Sequence, residues 1–123
     1  PIPVPDAELR ALKMTIAMRD AFEELRQMWN RRGYELGCCW GVASGYATIG
    51  VIGFEQRLDY TAMGTVTNLA ARLCDAGADT EILVTKRLMA KVENQFVVDD
   101  RGDMAFKGHP RPTGIVNLLG LQP

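Results

Sequence analysis

An α+β fold with helices over one face of a sheet is predicted by three features of this chain. Residues 11–29 carry apolar side chains at a helical period, residues 34–43 and 46–52 are rich in strand formers, and a second helical stripe from Thr65 gives way to short strands separated by turn residues. With 123 residues, 47% of them hydrophobic and 24% charged, the chain suits one globular domain or a large piece of one.

The opening Pro1-Ile2-Pro3-Val4-Pro5 is an extended stub, and without an initial Met the chain reads as cut from a longer one. Asp6 is an expected N-cap, with Glu8 placed to favour the helix dipole. Ala11, Met14, Met18, Phe22, Leu25 and Trp29 form the expected buried stripe, and Arg31-Arg32-Gly33 closes the helix. Residues 34–43 and 46–52 read as a hairpin-like pair of strands joined through Ser44-Gly45, with Gly50 and Gly53 as bulge or close-approach positions. Residues 81–84 form a short buried strand, and Thr85 caps a brief helix over residues 86–92. Residues 96–98 and 104–106 read as paired strands around the turn Asp99-Asp100-Arg101-Gly102, and residues 114–121 as the closing strand.

A formal net charge of −1 supplies no broad basic surface, which argues against a nucleic-acid partner held through phosphates. No apolar run approaches a membrane span and no secretory signal opens the chain, so a cytoplasmic location is expected for this stretch, while a membrane anchor elsewhere in the parent stays open. Cys38, Cys39 and Cys74 are odd in number and read as reduced thiols; with His109 as the only histidine they make no metal set.

The residues that carry chemistry lie between Arg57 and Leu73. Val66, Leu69, Ala70 and Leu73 make one apolar stripe, so Asn68 and Arg72, four apart, sit one above the other away from the core. Gly64 and Thr65 start this helix, where free backbone N–H groups favour an anion, and the polar strand Asp59-Tyr60-Thr61 runs into it. Spacing alone also allows a merely solvated helix face.

The run from Gly41 to Leu73, with Gly45, Gly50 and Gly53, then Arg57-x-Asp59-Tyr60-Thr61 and Asn68-Leu69-Ala70-Ala71-Arg72-Leu73, resembles the later half of class III adenylate and guanylate cyclase catalytic domains. The resemblance continues through residues 81–84 and Lys107-Gly108, covering nearly the whole chain as the C-terminal part of such a domain, residues 1–123. It implies a ferredoxin-like nucleotidyl cyclase fold, present in part, and a head-to-tail homodimer or cyclase-domain partner with sites at the interface.

The activity implied is that of an adenylate cyclase, converting ATP into 3′,5′-cyclic AMP and pyrophosphate for intracellular signalling. By resemblance, Arg72 stabilises the transition state, Asn68 orients the ribose, Thr61 reads the purine and Lys107 meets the terminal phosphates. Arg57 is a further phosphate contact, although Gln56 stands at the family's alternative phosphate-binding position. A guanine site usually offers Glu and Cys, and Thr61 is neither. The Mg²⁺ or Mn²⁺ ions implied for the parent domain are held in the family by two upstream aspartates absent here. The chain by itself is therefore expected to bind no catalytic metal and to be inactive. Cys39 and Trp40 replace smaller residues usual before Gly41, and Trp40 needs space in the sheet face or on a partner. The alternative is a catalytically inactive cyclase-homology module for regulation or dimerisation.

Overall fold

The computed structural model describes residues 2–55, 57–92 and 94–123, with all their side chains except those of Ile52, Phe54, Arg57 and Asp59. Helix α1 (Ala7–Arg31) leads to strands β1 (Trp40–Val42), β2 (Thr48–Phe54) and β3 (Arg57–Met63), and then to helix α2 (Thr65–Ala76). Strand β4 (Ile82–Thr85), helix α3 (Lys86–Met89) with a 3₁₀ turn at Ala90–Val92, and strands β5 (Phe96–Met104) and β6 (Thr113–Leu121) complete the described chain. Four strands form one sheet in the order β1-β4-β6-β5, in which β1 runs parallel to β4 and the other pairs are antiparallel; β2 and β3 form a separate antiparallel pair.

Strand β4 explains why helices cover both faces of this sheet rather than the one face expected. All four of its residues are buried, as expected of a strand whose two faces are both covered. Ile82 and Val84 join Leu12, Leu88, Val92, Phe96, Val116 and Leu118 in the larger core, under α1 and α3. Leu83 joins Leu73 and Ile115 in a smaller core on the opposite face, beneath α2. Burying each large aliphatic side chain contributes roughly 1.5–3 kcal/mol. Asn117, also buried, accepts a hydrogen bond from the Ile82 backbone N–H at 3.1 Å.

Several expectations are corrected by pairings that are distant in sequence. Residues 34–39 form no strand, and β1 pairs with β4 instead of forming a hairpin with the following segment. The hairpin is β2 with β3, in continuous register from Thr48↔Met63 to Phe54↔Arg57, and among the described residues nothing lies within 4 Å of a Cβ added at Gly50. Residues 96–98 and 104–106 do not pair with each other. β5 continues through the expected turn and pairs with β6 on both sides of it, because Asp100 accepts the Gly102 N–H at 2.7 Å and turns the local chemistry into a bulge. Arg101 at this bulge makes ion pairs with Glu81 and Asp99.

Helix α1 is also rotated relative to its expected stripe. Leu12 and Thr15 are its buried residues, with Leu9 and Ile16 packed on the core, whereas Met14 and Met18 are 59% and 47% exposed and Leu25 is exposed too. The helix carries apolar residues on two sides, and the contacts that choose between them are remote: the Arg19 guanidinium donates to the Leu118 and Leu119 carbonyls at 3.2 and 2.9 Å. Asp6 makes no side-chain cap. At the other end Gly33, with φ 86°, closes the helix as expected: Gly33 N–H donates to Asn30 O and Tyr34 N–H to Trp29 O. Thr85 caps α3, accepting from Leu88 N–H at 3.2 Å. Trp40 finds its space against α1, edge-on to Phe22 at 6.0 Å.

Asp79 ties three segments together. Its carboxylate accepts both Arg26 Nη atoms of α1 at 2.7 and 2.6 Å and the Cys38 N–H at 3.0 Å. The Cys38 N–H foremost, and then the Arg26 guanidinium, hold its pKa below the usual aspartate value. A carboxyl whose pKa is depressed on folding contributes stability that is present above its unfolded pKa and lost as the pH falls through the folded one. Urea unfolding at pH 7 and below pH 4 is expected to show a smaller acid-induced loss for Asp79→Asn than for wild type.

Candidate functional site

The outer face of α2 and the strand feeding it carry the principal polar residues of the site. Leu73 is fully buried and Leu69 packs beside it, which anchors one side of the helix. Asn68 and Arg72 consequently project from the exposed side, one turn apart. Gly64 is the N-cap residue; its carbonyl receives the Asn68 N–H at 3.4 Å and the Thr67 hydroxyl at 2.7 Å. Among the described residues, no hydrogen bond or ion pair engages the side chains of Asn68, Arg72, Thr61 or Lys107.

What fixes α2 is its close approach to β1. An added Cβ at Gly41 would lie 2.3 Å from Ala70 O, 2.6 Å from Cys74 N and 2.8 Å from Leu73 Cβ. Only a glycine lets the helix backbone settle on the strand there. Asn68 and Arg72 are thus carried by a rigid element although their own side chains lie in solvent.

Thr61 is exposed in the middle of β3, opposite Gly50, and its strand runs through Met63 and Gly64 into α2. Arg57 occupies the β3 position paired with Phe54; its side chain, like that of Asp59, lies outside the described residues, as does Gln56. Lys107 is exposed in the loop between β5 and β6. The structure therefore distributes these positions over β3, α2 and one loop, with Thr61, Asn68, Arg72 and Lys107 exposed.

A cavity of about 580 Å³ lies where that loop meets α2. Thr65, Val66 and Leu69 form one wall and residues 109–114 another, with Ser44, Gly45, Tyr46, Thr85 and Arg87 completing the lining. Arg87, His109 and Arg111 bring basic side chains to it, and among the described residues no Asp or Glu lines it. The sequence reading missed Arg87 and Arg111, because three separate elements bring them together and neither stands in a motif. His109 is half-buried, and its backbone N–H donates to the Phe106 carbonyl at 3.1 Å within the loop.

Divalent cations of the Mg²⁺ type need several converging oxygen ligands. Among the described residues no three His, Cys, Asp or Glu side chains converge. Among the described residues no helix is long and apolar enough to cross a membrane.

The hairpin presents an uncovered apolar face. Register places Ile49, Val51, Leu58, Tyr60 and Ala62 on one side of it; the four large residues are between 53% and 63% exposed.

The family described as adenylate and guanylate cyclase catalytic domain matches residues 3–118. Adenylate cyclase 1 of Rhizobium meliloti is 26% identical over 114 residues, covering 90% of this chain and 17% of that protein. Among solved structures, the adenylyl cyclase CyaB from P. aeruginosa superposes with a TM-score of 0.83 at 34% identity, covering 91% of this chain and 58% of the other. The guanylyl cyclase Cya2 gives a TM-score of 0.87 at 25% identity, covering 99% and 62%. The chain thus spans about three-fifths of these solved relatives and about a sixth of the curated one.

Proposed function

Because the chain belongs to the adenylate and guanylate cyclase catalytic-domain family, we propose that it forms the C-terminal part of an adenylate cyclase domain and supplies the purine, ribose and transition-state contacts. The observation that carries this reading is the exposed Asn68 and Arg72 pair on a helix whose opposite face is locked onto β1 and the smaller core.

Cyclisation requires the ribose 3′ oxygen to attack the α-phosphorus in line while pyrophosphate leaves. Charge accumulates on the phosphoryl oxygens, so catalysis depends mainly on positioning and electrostatic stabilisation. Arg72 offers a permanent charge with a planar fork of donors suited to phosphoryl oxygens. Asn68, one turn away, can donate to and accept from a ribose hydroxyl, and Thr61 can do the same at an adenine edge. Lys107 meets the terminal phosphates, next to a cavity whose charged lining residues are basic. Arg57 is a further phosphate contact in this reading. ATP rather than GTP is supported by the hydroxyl at Thr61 and by the higher identity to an adenylyl cyclase than to a guanylyl cyclase.

A site this open needs a second surface to exclude water. The apolar hairpin face and the outward-facing site residues support a dimer whose partner completes the site. Mg²⁺ or Mn²⁺, which would neutralise phosphate charge, would be held by residues outside this chain.

The test is product formation by the parent domain from ATP and from GTP with Mg²⁺ or Mn²⁺. Cyclic AMP from ATP, in excess of cyclic GMP from GTP, is expected. Dominant cyclic GMP formation would overturn the substrate assignment, and no product from either would favour an inactive regulatory module.

A further inference from the structure

Two half-buried thiols sit between the elements that fix α2. Cys39, immediately before β1, and Cys74, on α2, have their Sγ atoms 3.8 Å apart, although 35 residues separate them in sequence. Each thiol is also directed at the other residue's backbone: Cys39 Sγ lies 2.8 Å from Cys74 O, and Cys74 Sγ 3.6 Å from Cys39 O. Gly77 closes the other side, where an added Cβ would lie 3.4 Å from Cys39 Sγ. The close approach of α2 to Gly41 brings the segments that carry the two thiols together.

We propose that Cys39 and Cys74 form a redox modification site, at which a hydroperoxide converts the thiol pair into a reversible disulfide that pins α2 to β1. Peroxide oxidises one thiol to a sulfenic acid with release of water; the second sulfur then displaces hydroxide from it, and that hydroxide leaves as a second water with the second thiol's proton. Two thiols and one hydrogen peroxide give one disulfide and two waters. A thiol reductant reverses the step by exchange. The closed loop contains β1, the hairpin and most of α2, so the bond restrains the unfolding of the elements that carry Thr61, Asn68 and Arg72.

Burial foremost, then the Cys74 thiol, with smaller effects from Cys38 and Asp75, pushes the Cys39 thiol up to about 11. Cys39 is thus protonated at neutral pH and reacts only through a small thiolate fraction, so its oxidation is slow; the closeness of the two sulfurs, not their acidity, favours the cross-link. Cys38 is the built-in control: it adjoins Cys39, but its Sγ instead contacts the Cys39 carbonyl at 3.7 Å.

The experiment treats the reduced 123-residue chain with graded hydrogen peroxide, alkylates the remaining thiols and maps peptides by mass spectrometry without reduction. A Cys39–Cys74 peptide as the main cross-link is expected, with loss of two hydrogens, a higher melting temperature and reversal of both by dithiothreitol. Cys38→Ser should leave the cross-link intact, and Cys39→Ser and Cys74→Ser should each abolish it. A main cross-link through Cys38, disulfides only between chains, or full alkylation of all three thiols in oxidised wild type would overturn the proposal. These readouts do not involve cyclase activity, so they stand or fall separately from the functional reading.

Discussion

Arg72→Ala is expected to lower cyclic nucleotide formation by the parent domain on the order of a thousandfold, the effect of removing an arginine that stabilises a phosphoryl-transfer transition state. The loss should fall on kcat more than on KM, because the charge that Arg72 meets develops as pyrophosphate departs. Stability should be unaffected. Arg72 is exposed on α2, and no described side chain pairs with it, so its truncation belongs with surface substitutions worth within about 0.5 kcal/mol. Arg72→Lys should recover only part of the rate, since a lysine keeps the charge but loses the planar fork. Steady-state kinetics on the purified parent domain, with urea unfolding of each variant, separates these effects. An active Arg72→Ala enzyme would return Asn68 and Arg72 to the status of a solvated helix face.

Gly41→Ala is expected to have the opposite signature, a loss of stability that takes activity with it. The new methyl would have to occupy a point 2.3 Å from Ala70 O and 2.6 Å from Cys74 N. Those two atoms are four residues apart in a helix, the spacing of its backbone hydrogen bonds. The obstruction is therefore backbone rather than a side chain able to swing away. Either α2 lifts from β1, exposing Leu73 and Leu83, or the strand leaves its parallel pairing at Gly41↔Leu83. Overpacking of this kind costs about 3 kcal/mol or more, a large share of the roughly 5–15 kcal/mol that holds a domain together. A lower urea midpoint in the 123-residue chain is the expected result. Wild-type stability would mean that α2 does not rest on β1 as described.

The parts of this fold that were legible in the sequence are those fixed by local chemistry. Thr85 sits at the start of α3 and Gly33 at the end of α1 because caps depend on a few neighbouring atoms. The α2 stripe was legible because Val66, Leu69, Ala70 and Leu73 share one side, which by itself turns Asn68 and Arg72 outward. Helix α1 has apolar residues on two sides, so its period predicted a helix without predicting that Leu12 would be buried and Met14 exposed. The partners of β1 and β5 were hidden because pairing with β4 and β6 is settled by elements tens of residues away. The Asp99-Asp100-Arg101-Gly102 segment has turn chemistry, but with β6 alongside it the same chemistry makes a bulge. The basic cavity and the Cys39 and Cys74 pair were illegible for a related reason: each is assembled from residues that only the tertiary fold brings together.

The central claim, that this chain contributes one side of a cyclisation site completed by a second protomer, is tested most directly by mixing two inactive forms of the parent domain. One carries Arg72→Ala, and the other lacks the upstream aspartates to which the family resemblance assigns the metal ions. In a head-to-tail dimer each mixed pair regains one intact site, so random pairing should restore about a quarter of the wild-type rate of cyclic AMP formation. A mixture no more active than its two separate components would contradict a site shared between protomers.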